Sequence, residues 1–404
     1  LAAAAAHRVE VAFEASVCGG IPIVKVLRES LLGNRVSRIL GIVNGTTNYV
    51  LTRMSEEGLG YAEALAAAQA QGFAEAEPAM DVSGADAAQK IAILASVAFG
   101  SWVDWRTVLC ERITRVSPRD IDFARSAGYV FKLVASATLV EGRPLVTVYP
   151  AMVPVGHPLA AVRGEFNAVM VDSDFLGPSV YWGRGAGGRP TASSLASDLG
   201  DLARIIVAGP AAGPRMPAFE PREPFPSDRL RCRCCFHFVT ANRPGIWALV
   251  TGTLADNGIN IESVHQKWED RTLPSDLFVL VDEAEEGQLR TALARVSASP
   301  GISAESRYFR ILDGGDGTRG ARAPRRGGRP RGHRDHRPRR RLEPRAARRG
   351  DGRVRARDAA VRRHPHPRRR RADPRAAGPG GRARAPRPER RRHARRGARR
   401  DDLG

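Results

Sequence analysis

Four carboxylates and one lysine stand together in the segment Ala74-Glu75-Ala-Glu77-Pro-Ala-Met-Asp81-Val-Ser-Gly84-Ala-Asp86-Ala-Ala-Gln-Lys90. The stretch runs from an acidic loop, Phe73–Gly84, into a predicted helix over Asp86–Phe99, whose Ile91, Leu94, Val97 and Ala98 recur at helical spacing. Asp86 and Lys90 lie four residues apart and share a helix face, with the acid nearer the N-terminus. An ammonium held among carboxylates keeps its charge and can hand a proton to a developing alkoxide. A plainer alternative makes Ser83 a helix cap and Asp86–Lys90 an ordinary surface pair. The density of charge beside an apolar helix favours a polar small-molecule site.

Two further segments carry chemistry. In Gly41-Ile-Val-Asn44-Gly45-Thr46-Thr47-Asn48-Tyr49 a strand turns sharply into a helix. Such a turn leaves backbone N–H groups at Gly45 and Thr46 free to meet an anion such as a carboxylate; it also reads as a simple Asn-Gly turn. Gly183-Arg-Gly-Ala-Gly-Gly188, ahead of Pro190-Thr-Ala192, is a glycine-rich strand-to-helix turn able to cradle a nucleotide.

The elements that must position these residues give an α+β fold class. Strands are expected at Val9–Phe13, Val36–Val43, Val130–Leu139, Leu145–Tyr149, Ala168–Asp172 and Ser179–Trp182. Helices are expected over Pro22–Leu32, from Thr46 or Thr47 onward, over Tyr61–Gln71 and over Thr191–Val207. Residues 208–229, rich in Pro, Gly and Ala, read as a linker. Residues 230–313 then read as βαββαβ: strand Arg231–Thr240, helix Ile246–Asn257, strands Asn260–Gln266 and Asp276–Val281, helix Glu286–Ser297, strand Ser303–Ile311.

Net charge is +21 over 404 residues, but the average hides a split. Residues 314–404 hold 34 arginines, no lysine and nine acidic residues, which leaves the body at −4. A nucleic-acid partner therefore has no support outside the tail. That tail contains no Phe, Trp, Tyr, Ile, Met or Cys and reads as disordered. Three accounts of it stand open: phosphate binding, a solvated extension, or translation out of frame. The abrupt change of composition near Asp313 favours the third. The longest apolar uncharged run, Ile91–Val103, falls short of the roughly 20 residues a membrane span needs. Five scattered cysteines form no disulfide or zinc framework, and a cytoplasmic setting is expected.

The ordered motifs Phe13-Glu-Ala-Ser-Val-Cys-Gly-Gly-Ile-Pro-Ile23, Gly41–Tyr49, Glu75–Lys90 and Gly183–Ala192 resemble homoserine dehydrogenase. The likeness covers nearly all of Leu1–Val207, so residues 13–207 are expected to form the family's catalytic and dimerisation domain. The module at 230–313 resembles an ACT domain through Asn242-Arg-Pro-Gly245 and Asn257-Gly-Ile-Asn-Ile-Glu262. The resemblance implies reduction of aspartate 4-semialdehyde to homoserine with NADP(H) or NAD(H), on the route to threonine, methionine and isoleucine. It implies Lys90 as proton donor and acceptor and Glu75 as partner of the substrate's amino group. Asp81 and Asp86, with Gly45 and Thr46, complete the substrate pocket, and Gly185 and Gly187 face the cofactor. Glu14 and the carbonyls of Val17, Gly19 and Ile21 match a structural sodium site. A homodimer and a threonine effector follow by the same likeness.

Departures accompany it. Glu77 stands where the family usually has Asp, and Cys18 where it has a small residue. Residues 1–12 read as the remnant of a dinucleotide-binding half that the sequence otherwise lacks. The chain is therefore expected to be a fragment with impaired hydride transfer. The alternative is a non-catalytic amino-acid sensor built on the ACT-like module.

Overall fold

The computed structural model describes Ala4, His7 and residues 9–209, 219–267 and 274–312. The predicted tail at 314–404 and much of the linker lie outside them. Ten strands form one sheet: β1 Val36–Ile42, β2 Leu109–Cys110, β3 Tyr129–Val140, β4 Arg143–Pro154, β5 Phe166–Ser173, β6 Gly177–Arg184, β7 Arg231–Thr240, β8 Ile261–Lys267, β9 Ser275–Glu285 and β10 Arg307–Ile311. Their order is β6-β5-β1-β3-β4-β10-β7-β9-β8, with β2 beside β4. Pairing is antiparallel except at β10–β4 and β2–β4.

Seven longer helices accompany the strands: α1 Gly45–Glu57, α2 Tyr61–Ala70, α3 Ala85–Phe99, α4 Pro118–Ser126, α5 Gly188–Ala208, α6 Ile246–Asp256 and α7 Glu286–Ser297. Period-two burial sorts β1 onto two faces. Ile39 packs into the core that α1, α3 and α4 cover, whereas Leu40 and Ile42 join a smaller core with Val134, Leu159 and Met170. In α3, Ile91, Leu94 and Ala95 are fully buried, as the helical spacing requires. The helix ends at Gly100, in the left-handed region at φ 61°.

The C-terminal strands and helices run β7-α6-β8-β9-α7-β10, the βαββαβ order read from the sequence. They do not stand apart from the rest. Arg310 and Ile311 of β10 pair with Ala151 and Met152 of β4. Across the same seam Phe123 of α4 stacks on Phe278 of β9 at 4.1 Å, and Phe131 meets Phe309 edge-on at 4.8 Å. Cys235, Phe278, Leu280, Phe309 and Ile311 belong to the same core as α3. At about 1.5–3 kcal/mol for each large apolar side chain buried, this seam is a core rather than a contact between separate bodies. Within the segment read as a linker, Phe225 is buried and its N–H donates to the Pro144 carbonyl.

Several local readings give way to the structure. Residues 9–13 form no strand; a 3₁₀ turn at Glu14–Ser16 follows them. The helix expected over Pro22–Leu32 is a short α-turn, Ile23–Lys25, continued as a π-helix over Val26–Ser30. The acidic loop contains a one-turn helix, Ala79–Val82. Helix α4 and the two-residue β2 have no counterpart in the sequence reading. For α4 the signal was present: Ser117 caps, Pro118 follows and Asp120 closes a capping box.

Candidate active site

Strand β1 delivers the chain to Asn44, which caps α1 because its side-chain oxygen accepts the Thr47 N–H at 2.8 Å. The amide nitrogen of the same side chain donates to Asp81 Oδ1 at 2.7 Å and to Asp86 Oδ2 at 2.9 Å. Lys90 Nζ donates to Asp86 Oδ2 at 2.8 Å and to the Val43 carbonyl at 3.2 Å. One asparagine therefore ties the end of β1, the acidic loop and the first turn of α3 into one polar chain. The side chains of Lys90 and Asp86 remain 21% and 27% exposed, so a small molecule can reach them.

An ammonium has three N–H donors, and Lys90 uses two on Asp86 and Val43. Among the described contacts the third has no protein acceptor. Asp86, one helical turn away, fixes the ammonium, and an ammonium so held can pass a proton to an oxygen bound beside it. The spacing of Asp86 and Lys90 announced this pair; Asn44 as its tether was not anticipated. The signal available was an N-cap type at a strand end, and it identifies the cap without identifying the carboxylates the amide meets.

Other predicted residues are placed differently. Glu75 is exposed, and its side chain makes no hydrogen bond or ion pair among the described residues; its carbonyl accepts from Gln69. It stands outside the bonded group of Asn44, Asp81, Asp86 and Lys90. The Thr46 hydroxyl donates to the Phe73 carbonyl at 2.8 Å, so it is committed to the fold. Gly45 sits so close to the Glu165 carbonyl that a Cβ would come within 2.7 Å. Its glycine identity serves this approach.

The loop at residues 14–21 packs against the glycine-rich turn. Ser194 donates to the Gly19 carbonyl at 2.6 Å, and Gly20 N–H to that of Arg184 at 3.0 Å. Both carboxylate oxygens of Glu14 are taken at 2.8 Å by the N–H groups of Val24 and Lys25. Burial raises the Glu14 pKa, and those two donors offset part of the rise. The buried Cys18 holds a left-handed backbone at φ 55°, and burial pushes its thiol up to about 11. Gly185 leans on the side chain of Asn167, whose buried Oδ1 has no hydrogen-bond partner among the described residues, and Gly187 adopts φ 109°. A Cβ on Gly185 would lie 2.0 Å from Asn167 Nδ2. Because Asn167 is itself buried it cannot swing aside, and Gly185→Ala is expected to destabilise the chain by about 1–3 kcal/mol. Urea titration measures this; a midpoint equal to the parent's would refute the packing argument.

A partly exposed lysine fixed by a carboxylate, on a helix covering a mixed sheet, is an arrangement that an α+β enzyme acting on a small polar molecule could use. The comparisons name the reaction. A family model described as homoserine dehydrogenase matches residues 22–199. The homoserine dehydrogenase of Synechocystis sp. is 40% identical over 320 residues, which cover 77% of this chain and 73% of that protein. That of Pseudomonas aeruginosa is 38% identical over 301 residues, 72% and 69% of the two chains. The crystal structure of a homoserine dehydrogenase from Thiobacillus denitrificans aligns with a TM-score of 0.73 at 36% identity, covering 77% of this chain and 72% of that one. The chain belongs to the homoserine dehydrogenase family. It is an oxidoreductase, and homoserine dehydrogenases use NAD(P). No helix among the described residues is long and apolar enough to cross a membrane.

Proposed function

We propose that Lys90 is the proton donor and acceptor in the interconversion of aspartate 4-semialdehyde and homoserine, with Asp86, Asp81 and Asn44 holding it in place. The observation that carries this reading is the ammonium's third donor, left over on a partly exposed side chain while its other two are anchored. NAD(P)H, when bound, supplies the hydride to the aldehyde carbon. Lys90 gives its proton to the carbonyl oxygen as that oxygen gains charge, and a primary alcohol results. In the reverse direction the amine takes the hydroxyl proton. Asp81 and the exposed Glu75 offer carboxylates to the substrate's ammonium, and backbone N–H groups at Gly45 and Thr46 face its carboxylate.

The turn at residues 183–188 suits a cofactor lying across it. Gly187 needs glycine for its φ, space is open at Gly188, and Asn167 Oδ1, unpartnered among the described residues, lies beneath Gly185. Gly185 and Gly187 are the residues we assign to that surface. A sodium ion fits the loop at residues 14–21 through neutral carbonyl oxygens of Val17, Gly19 and Ile21 together with Glu14, the hard donor set such a cation takes. The Glu14 carboxylate is engaged by two N–H groups and its carbonyl accepts the Val17 N–H at 3.5 Å, so a bound ion would share these oxygens. The βαββαβ module fits an ACT-like regulatory domain with a threonine-type effector. Edge strand β6 exposes Val180 and Trp182, with Phe175 and Leu176 beside it, which suits a homodimer interface.

Asp86→Asn tests the assignment. It keeps the shape but weakens the anchor on Lys90, and kcat/KM for aspartate 4-semialdehyde is expected to fall by about 10–100-fold. Full activity in that variant would remove Asp86 from the mechanism.

A further inference from the structure

A chain of contacts leads from the C-terminal module to the catalytic helix. Arg310 on β10 is 1% exposed and makes a two-pronged pair with Glu286, at 3.0 and 2.6 Å. The same guanidinium reaches across the seam to Glu111 Oε1 at 2.7 Å. Glu111 directly follows β2, and its N–H donates to the Val148 carbonyl of β4 at 2.8 Å. Here β2 and Glu111 press on Gly84. A Cβ at Gly84 would stand 2.8 Å from Cys110 Sγ and 3.3 Å from the Glu111 carbonyl. Cys110 Sγ also donates to the Ser83 carbonyl at 3.3 Å. Gly84 is the N-cap of α3, left-handed at φ 85°, and its carbonyl accepts the Ala88 N–H at 2.8 Å. Asp86 and Lys90 occupy the first two turns that this cap begins.

We infer that Arg310 and Glu111 are positioning residues: the C-terminal module, gripping Glu111 through Arg310, seats the N-cap of α3 and so sets where Lys90 stands. The inference rests on the proposed role of Lys90. Its physical basis is the small number of ways the cap can be held. Besides the Gly84 N–H on the Asp81 carbonyl at 3.0 Å, the turn's position is set by what packs on Gly84, and β2 is only two residues long. A two-residue strand is held by β4 on one side and by the Glu111–Arg310 pair beyond its end. Releasing Glu111 lets β2 relax, and misplacement of a catalytic group by a fraction of an ångström lowers rate more than binding.

The test compares the parent chain with Glu111→Ala and Glu111→Gln. Glu111 is partly exposed and its loss leaves the Arg310–Glu286 pair in place, so the variants fold. Glu111→Ala is expected to lower kcat by about fivefold with KM within about twofold, and to speed amide exchange at Ala88, whose N–H is bonded to the Gly84 carbonyl, by about tenfold. Glu111→Gln, which keeps an acceptor for Arg310, should restore most of both. Glu223→Ala, which breaks an exposed pair with Arg143, should change neither. Unchanged exchange at Ala88 in Glu111→Ala overturns the inference, and so does faster exchange with parental kcat. Exchange does not depend on the chemistry of Lys90. A Lys90 variant with full turnover would therefore refute the proposed function while the exchange result still judged the contact chain.

Discussion

Lys90→Met is expected to lower turnover of aspartate 4-semialdehyde by about 10²–10⁴-fold, the range that a positioned proton donor contributes. The substitution keeps the length of the side chain along α3 and removes its two anchoring bonds to Asp86 and Val43. Homoserine binding, followed by calorimetry, should stay within about tenfold, since binding common to ground and transition states comes from the surrounding carboxylates and N–H groups. Lys90→Arg separates charge from proton transfer. A guanidinium can still pair with Asp86 but does not release a proton in the working range. If Lys90 works by transferring a proton, the Arg variant stays as slow as Met; recovery of the rate would reduce its role to charge stabilisation. A Met variant retaining more than a tenth of parental turnover would rule out Lys90 altogether.

The second large effect lies at the seam. His237 on β7 is 1% exposed and places Nδ1 2.6 Å from Asp120 of α4 and Nε2 2.8 Å from Asp276 of β9. Only the imidazolium donates from both ring nitrogens. Burial pushes the ring's pKa down, yet the hydrogen bonds to Asp120 and Asp276 outweigh it, and the net shift is upward. Burial alone would raise Asp120; its bonds to His237 and the Arg307 guanidinium hold it below the usual carboxylate range. Arg119 faces Asp276 from the exposed side, and Phe278 stacks on the ring at 4.2 Å.

The sign for pH follows from these directions. A histidine that holds its proton more tightly when folded contributes fully below its unfolded value of about 6.5, and that contribution fades as pH rises through the folded value. Asp120 and Asp276, both lowered, contribute above about 3.9 and lose their effect as pH falls through their folded values. Stability from this cluster is therefore greatest between those limits. Thermal melts should show Tm declining from about pH 6.5 upward. His237→Phe removes the donor shared by the buried Asp120 and the partly exposed Asp276, which keep Arg307 and Arg119, and is expected to cost about 1–3 kcal/mol, the range for leaving a buried hydrogen-bonding group unmade. It should also flatten the alkaline decline. A variant melting like the parent, or with the same slope against pH, would show that the cluster does not bind the seam.

Much of the site was legible in the amino-acid order because it is local. Asp86 and Lys90 share a helix face by spacing alone, α3 follows from its apolar period, and the turn after β1 follows from Asn44-Gly45. The βαββαβ order of residues 231–311 was legible for the same reason, each element carrying its own periodicity and breakers. What depended on distant partners was not. Nothing near Asn44 in sequence says that its amide meets Asp81 and Asp86, nothing near Glu75 that it faces solvent, and nothing near Glu14 that Val24 and Lys25 claim its carboxylate. The chain order marked residues 208–229 as a break between two modules, whereas tertiary folding joined β10 to β4 and buried Phe278 and Phe309 in the core of α3. Propensity and spacing act over a few residues along the chain. The pairing of strands about 160 residues apart, and the ion pairs of His237 and Arg310 across that seam, are decided only when apolar faces find each other in space.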